Sequence, residues 1–113
     1  MILLWHNPKC SKSRQVLALL RKTGHEVHER RYLENAPTRA EIETALSLLR
    51  VRPIGMMRPN ETLFKELGLT LDSQDTTLIE AMAHHPRLIE RPILFANGRA
   101  IIGRPPETAL TIL

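Results

Sequence analysis

The sequence predicts an α/β fold, a mixed sheet flanked by helices and carrying a helical insertion. A strand, a helix and a second strand follow one another near the start of the chain, and such a unit has parallel strands joined by a right-handed crossover. Two apolar runs near the other end are joined by Asn97-Gly98, a strong hairpin signal. Only helical patterns lie between them. One sheet therefore holds both parallel and antiparallel strands.

The first strand is predicted over residues 2 to 6, an apolar run that ends at Asn7-Pro8. A helix follows from residue 11 to residue 23 and ends at Gly24, a residue that favours helix C-termini. Residues 25 to 33 alternate apolar and polar side chains and predict the second strand. The apolar positions that share one side of the helix are Val16, Leu17, Leu19 and Leu20.

Helical patterns fill the middle of the chain. The first helix there begins at Thr38, whose hydroxyl can pair with Glu41 in a capping box. Residues 51 to 86 form the predicted helical insertion, which we expect to lie against one end of the sheet, and Asp75 is the expected cap of its last helix. The three helical segments of the insertion are residues 54–58, 61–69 and 76–85.

The last third of the chain predicts a hairpin and a closing helix. The hairpin strands are residues 93–96 and 100–102, and Pro105-Pro106 marks the start of a short helix from Glu107 onward. This order of strands and helices is the plan of the thioredoxin fold. A chain of 113 residues has room for one core, so we expect a single domain over residues 1–113.

Composition and charge narrow the class of protein. With 42% hydrophobic and 25% charged residues, the chain has the composition of an ordinary globular protein. No apolar run approaches the roughly 20 residues that cross a bilayer, and the opening run is too short for a secretory signal, so the cytoplasm is the expected compartment. The net charge of +4 is dispersed, and one Trp, one Tyr and two Phe offer little for base stacking. The sequence therefore favours neither membrane nor nucleic-acid binding.

Cys10 is the only cysteine of the chain. It stands in a turn at the expected start of the first helix, where the helix dipole, free backbone N–H groups and Lys9, Lys12 and Arg14 would favour its thiolate. A lone cysteine is more often a small buried residue without chemistry, but the polar neighbours predict a solvated turn. Because no second cysteine is present, disulfide chemistry at Cys10 needs a second molecule.

Two neighbours of Cys10 could assist it. Ser13 stands where a Cys-x-x-Cys motif has its second cysteine, and it can hydrogen-bond to the sulfur or to a ligand, or simply be a first-turn helix residue. His6, at the strand end, could stabilise the thiolate or orient the loop, or be purely structural. The remaining histidines have no Cys, Asp or Glu cluster at ligand spacing, so the sequence predicts no metal site.

Three arginines share one sequence context, since each precedes a proline in a predicted loop. An isolated arginine is most often a solvated surface charge. A guanidinium nevertheless suits a tetrahedral oxyanion, because its planar fork donates paired hydrogen bonds and stays charged. A site that joins a thiolate to an oxyanion needs such cations. The three residues are Arg58, Arg91 and Arg104.

These motifs together resemble one known family. His-Asn-Pro-x-Cys at 6–10, Glu-Arg-Pro-Ile at 90–93 and Gly-Arg-Pro-Pro at 103–106 resemble, in this order, the glutaredoxin-coupled arsenate reductases, the ArsC-like branch of the thioredoxin fold. The resemblance covers nearly the whole chain. Ser11-Lys12 stands where the best-known members have Gly-Thr, which places the chain nearest to less characterised members with His-Asn-Pro-x-Cys-Ser-Lys-Ser.

The resemblance implies reduction of arsenate to arsenite. It implies that Cys10 is the nucleophile that attacks arsenate, that His6 and Ser13 lower the pKa of its thiol, and that Pro92 is a cis-proline beside the active site. It further implies no bound cofactor, glutathione as co-substrate and glutaredoxin as partner protein. The implied anion-binding residues are Arg58, Arg91 and Arg104.

Two other functions fit the same residues. One is an Spx-like regulator that binds RNA polymerase, although such regulators often carry a Cys-x-x-Cys switch, which Ser13 disfavours. The other is a monothiol reductase of protein or glutathione disulfides that does not act on arsenate.

Overall fold

The computed structural model describes all residues from 1 to 113. The chain divides into two units, one formed by Met1–Asn35 with Arg91–Leu113 and the other by Ala36–Glu90. The first unit contains the sheet and the second contains helices. No helix is long and apolar enough to span a membrane.

The first unit is built on a mixed four-stranded sheet flanked by helices, as predicted. The strands lie in the order β2-β1-β3-β4. β1 pairs in parallel with β2 and antiparallel with β3, and β3 and β4 form an antiparallel hairpin. The strands are β1 (Ile2–Trp5), β2 (Val27–Arg30), β3 (Ile93–Ala96) and β4 (Arg99–Ile102).

The crossover between the parallel strands is the helix α1 (Ser11–Lys22). It ends before Gly24, whose φ of +83° lies in the left-handed region that favours glycine. β2 is shorter than the predicted strand over residues 25 to 33, because Tyr32 lies in a turn. The Tyr32 side chain is only 1% exposed. The aromatic residue at position 32 is therefore explained by the burial of its side chain at a turn, and it does not indicate a β-strand.

One apolar cluster holds α1 and the final segment Pro106–Ile112 against the sheet. That segment is a 3-10 helix and begins one residue earlier than predicted, with Pro106 in its first turn. The buried members of the cluster come from strands and helices alike, and they are Ile2, Leu4, Val16, Leu17, Leu20, Leu94, Ala96, Ala109 and Ile112. This packing fixes the helix that begins at Cys10 relative to β1 and β3.

The hairpin between β3 and β4 has the two-residue turn that the sequence predicts. Asn97 and Gly98 have φ values of 55° and 69°, the left-handed conformations that a tight hairpin turn requires. The strand register then sets Gly103, which follows β4, beside Pro92, which precedes β3. The Gly103 N–H donates to the Pro92 carbonyl at 2.9 Å. The hairpin thus brings the Arg91 and Arg104 segments together.

The second unit contains three α-helices and two short 3-10 helices. The predicted capping box of α2 is confirmed, since the Thr38 hydroxyl accepts the Glu41 N–H and the Glu41 carboxylate accepts the Thr38 N–H. The predicted insertion, residues 51 to 86, falls within this unit. The α-helices are α2 (Arg39–Leu49), α3 (Thr62–Glu66) and α4 (Asp75–His84), and the 3-10 helices are Pro53–Met56 and Pro86–Leu88.

The predicted cap of α4 is wrong by one residue. Gln74 is the N-cap, and Asp75 is the first helical residue. The Asp75 carboxylate instead accepts a hydrogen bond from the Arg52 guanidinium at 2.9 Å. An aspartate inside the first turn still complements the positive end of the helix dipole, so it suits this position without capping it.

Candidate functional site

The loop between β1 and α1 is closed by hydrogen bonds that centre on Asn7. The Asn7 carbonyl accepts the Cys10 N–H at 3.0 Å. The Asn7 side chain accepts the Lys9 N–H at 3.0 Å, and the Asn7 N–H donates to the Ser13 hydroxyl at 3.0 Å. These bonds hold Cys10 as the N-cap of α1. Asn7 was not predicted as a site residue, although it belongs to the His-Asn-Pro-x-Cys motif.

His6 and Ser13 form a buried hydrogen-bonded pair beneath this loop. His6 Nδ1 and Ser13 Oγ lie 2.7 Å apart, and the two residues are 3% and 0% exposed. Burial lowers the pKa of the His6 imidazole, and the opposing charge of Glu29 does not reverse this. A neutral imidazole adds no positive charge next to the thiol. The hydrogen-bonded pair therefore stabilises the loop. The predicted effect of His6 and Ser13 on the pKa of the Cys10 thiol stays a prediction.

Cys10 is buried, contrary to the expected solvated position. Only 8% of the residue is exposed, although Lys9, Ser11 and Lys12 around it are exposed. The difference arises because α1 packs into the core and carries its N-cap inward, while the polar neighbours point to solvent. The Arg104 Nη2 group donates to the Cys10 sulfur at 3.6 Å.

Several groups act on the ionisation of the Cys10 thiol. Burial opposes the charged form, but the backbone N–H of Ser13, the Arg91 guanidinium, the backbone N–H of Lys12 and the Arg104 guanidinium outweigh it. Together they lower the pKa of the thiol below its ordinary value. The thiolate is therefore held by the helix N-terminus and by two arginines.

The charges that matter most are not the ones nearest in sequence. The sequence predicts this role for Lys9, Lys12 and Arg14, whereas Arg91 and Arg104 are the leading charges on Cys10. The Lys9 and Lys12 side chains are exposed to solvent, and water screens them. The Arg14 guanidinium donates to the Pro8 carbonyl at 2.9 Å and so stabilises the loop.

Arg104 is joined to Arg91 as well as to the sulfur. The Arg104 Nε–H donates to the Arg91 carbonyl at 2.8 Å. The Arg91–Pro92 peptide bond is cis, and so is the Arg104–Pro105 bond, for which the sequence analysis made no prediction. The two arginines therefore enter the site from adjacent positions at one end of the hairpin.

Arg58, the third predicted anion-binding residue, lies in the second unit. Its Nη2 group lies 3.2 Å from the Glu61 carboxylate. The same carboxylate lies 3.0 Å from the Arg87 guanidinium. The Arg58 backbone N–H donates to the Leu88 carbonyl at 2.8 Å. The predicted role of Arg58 in anion binding stays a prediction.

The chemistry open to this arrangement is nucleophilic attack. A thiolate beside two guanidinium groups can attack an electrophilic centre that itself carries negative charge, because the cations offset the repulsion. No group of three or more His, Cys, Asp and Glu side chains lies close enough together to hold a metal ion. The site also offers a single thiol, so a covalent adduct on Cys10 is resolved by an outside thiol.

Comparison with known proteins gives matches along nearly the full chain. The profile of the ArsC family matches residues 5–112. An arsenate reductase of Neisseria meningitidis is 42% identical over 114 residues, which cover 99% of this chain and 97% of that protein. The uncharacterised protein YfgD of Escherichia coli is 45% identical over 112 residues, which cover 97% of this chain and 94% of YfgD.

The same agreement extends to solved structures. The structure of an arsenate reductase from Vibrio cholerae superposes on this chain with a TM-score of 0.95 at 46% sequence identity. The superposition covers 99% of this chain and 97% of that one. The thioredoxin-like fold predicted from the order of strands and helices is confirmed.

Proposed function

Because the chain belongs to the ArsC family, we propose that it reduces arsenate to arsenite, with glutathione as co-substrate and glutaredoxin as partner protein. The observation that carries the proposal is the 3.6 Å contact between Arg104 Nη2 and Cys10 Sγ. This contact joins a nucleophile to a cation that can also bind an oxyanion. The full-length relatives that are named arsenate reductases support arsenate as that oxyanion.

The first step forms a bond between sulfur and arsenic. The Cys10 thiolate attacks the As(V) centre of arsenate, and one arsenate hydroxyl group takes up a proton from solvent and leaves as water. Arg91 and Arg104 offset the charge of the thiolate and of the oxyanion as they approach each other. The backbone N–H groups at the start of α1 hold the sulfur in place during the attack.

The next steps transfer two electrons and regenerate Cys10. The glutathione thiolate attacks the Cys10 sulfur, the sulfur–arsenic bond breaks with its electron pair on arsenic, and As(III) leaves as arsenite. Cys10 is then joined to glutathione in a mixed disulfide. A glutaredoxin thiolate attacks the glutathione sulfur and releases the Cys10 thiolate. This cycle needs a reducing glutathione pool, which is the basis for placing the protein in the cytoplasm.

A coupled turnover assay tests the proposed function. Arsenate, glutathione, glutaredoxin and glutathione reductase are combined with the protein, and NADPH consumption is followed. We expect arsenate-dependent turnover by the native chain, none by Cys10→Ser, and native turnover by the control Ser11→Ala, which changes the adjacent exposed serine. Undiminished turnover in Cys10→Ser contradicts the mechanism.

The same assay separates arsenate from other substrates of a single reactive thiol. Glutathione-linked protein and small-molecule disulfides replace arsenate in a parallel series. Turnover with arsenate and not with these disulfides supports the proposed function. Turnover with the disulfides and none with arsenate identifies the protein as a monothiol disulfide reductase instead.

A further inference from the structure

Gly103 lies at the closest approach between α1 and the hairpin that carries Arg104. A Cβ atom at position 103 would lie 2.7 Å from Cγ2 of Val16 and 3.1 Å from Cγ of Pro92. Real Cβ atoms do not show a contact of 2.7 Å, so position 103 has no room for a methyl group unless its neighbours shift. Its φ lies outside the left-handed region, so the requirement for glycine is steric.

The neighbours of Gly103 have little freedom to move away. Val16 is 0% exposed and belongs to the apolar cluster between α1 and the sheet. Pro92 is buried, and its carbonyl accepts the Gly103 N–H at 2.9 Å. Cores are close-packed, and an added methyl group forces shifts of the backbone around it. A shift of the backbone from Gly103 to the exposed residue Arg104 would relieve the contacts with Val16 and Pro92.

A shift of this segment would act directly on the site. Arg104 follows Gly103 in the chain, and its guanidinium reaches both the Arg91 carbonyl, at 2.8 Å, and the Cys10 sulfur, at 3.6 Å. A displacement of a few tenths of an ångström away from α1 would lengthen the contact with the sulfur and weaken it.

We propose that Gly103 is a positioning residue, whose lack of a side chain allows the end of β4 to approach Val16 and Pro92 closely enough for Arg104 to contact Cys10. Gly103 acts through Arg104 and does not touch the substrate. The proposal concerns the reactivity of Cys10 and does not depend on which oxyanion the protein reduces.

The test is a cycle of variants read by the alkylation of Cys10. Because Cys10 is the only cysteine, the pH dependence of its reaction with iodoacetamide reports the ionisation of this thiol alone. Gly103→Ala introduces the clash, and Val16→Ala in the same chain removes the Cγ2 atom that a Cβ at position 103 would meet. The assay contains no arsenate, so its result is independent of the proposed function.

The expected result has three parts. The midpoint of alkylation rises by a few tenths of a pH unit in Gly103→Ala, because the positive charge of Arg104 is moved away from the thiol but not removed. The midpoint returns toward the native value in Val16→Ala/Gly103→Ala, and it keeps the native value in Val16→Ala. Gly55→Ala is the matched control, since a Cβ there would lie 3.2 Å from Val51, in the second unit. Its alkylation profile stays native.

Two results would overturn the proposal. One is a folded Gly103→Ala protein with the native alkylation midpoint, which would show that the close approach does not control the thiol. The other is a double variant that keeps the raised midpoint. If Gly103→Ala alone fails to fold, the double variant decides, and a raised midpoint in that protein contradicts the proposal.

Discussion

The two units of the molecule use arginine in different ways. In the first unit the Arg104 guanidinium contacts the Cys10 sulfur at 3.6 Å. In the second unit the guanidinium groups of Arg58 and Arg87 share the Glu61 carboxylate. Arg58 and Arg104 both precede a proline, so the local sequence does not distinguish them. The group opposite each guanidinium therefore distinguishes the two arginines, although their local sequence does not.

The largest expected effect follows from removing the arginine that faces the sulfur. Arg104→Ala is expected to lower kcat/KM for arsenate roughly 10- to 100-fold, because a charge-assisted hydrogen bond is worth about 1.5–3 kcal/mol. Arg104→Lys keeps the charge without the planar fork, so its kcat/KM is expected to lie between that of the native chain and that of Arg104→Ala. Steady-state kinetics measure both. A native kcat/KM in Arg104→Ala would show that the contact between Arg104 and the Cys10 sulfur does not contribute to activity.

A substitution that removes only a helix cap in the second unit separates the effect of stability from the effect of the contact with sulfur. Thr38→Ala removes the side-chain half of the α2 capping box, and it is expected to lower the free energy of unfolding by about 1 kcal/mol. Urea unfolding measures the loss. The turnover of arsenate at saturating substrate is expected to stay native. A loss of turnover matching that of Arg104→Ala would show that stability, and not the contact with sulfur, limits activity.

Arg58→Ala tests the paired arginine directly. The side chains of Arg58 and Glu61 are 26% and 21% exposed, and ion pairs with access to solvent contribute about 0.2–1 kcal/mol. We therefore expect a loss of stability within that range by urea unfolding. Glu61→Gln is the matched variant, because it removes the carboxylate from Arg58 and Arg87 together. A gain of stability in either variant would show that this ion pair does not stabilise the fold.

The smallest expected effect is a pH dependence of stability from His6. Its pKa is lowered in the folded protein, so the unfolded chain binds the proton more readily. The stabilisation is complete above the ordinary histidine pKa of about 6.5 and is lost as the pH falls below it. Urea unfolding between pH 7 and pH 5 measures this loss. It is expected to diminish in His6→Asn and to persist in the control His28→Gln, at an exposed position of β2.

Much of the fold follows from local sequence patterns. The hairpin follows from Asn97-Gly98, because few residues adopt two successive left-handed conformations. The α2 capping box follows from Thr38 and Glu41, because both partners lie within one turn. Each of these features depends on residues a few positions apart. Local physical chemistry is therefore enough to predict them.

The parts of the site that escaped prediction depend on distant contacts. The contact between Arg104 and Cys10 joins residues 94 positions apart, and the register of β3 against β1 and β4 sets it. The fit of Gly103 against Val16 depends on how α1 packs on the sheet. Asn7 could have been found from its own signal, since an asparagine before a proline at a strand end commonly organises a turn.

The most direct test of the account is the pH dependence of Cys10 alkylation in three proteins. The native chain is expected to react with a midpoint below the ordinary thiol pKa of about 8.5, since the helix N-terminus and two arginines favour the thiolate. Arg104→Ala is expected to raise the midpoint, and Arg58→Ala is expected to leave it unchanged. A native midpoint at or above about 8.5, or equal shifts in the two arginine variants, would contradict the central claim that the contact with Arg104 activates Cys10.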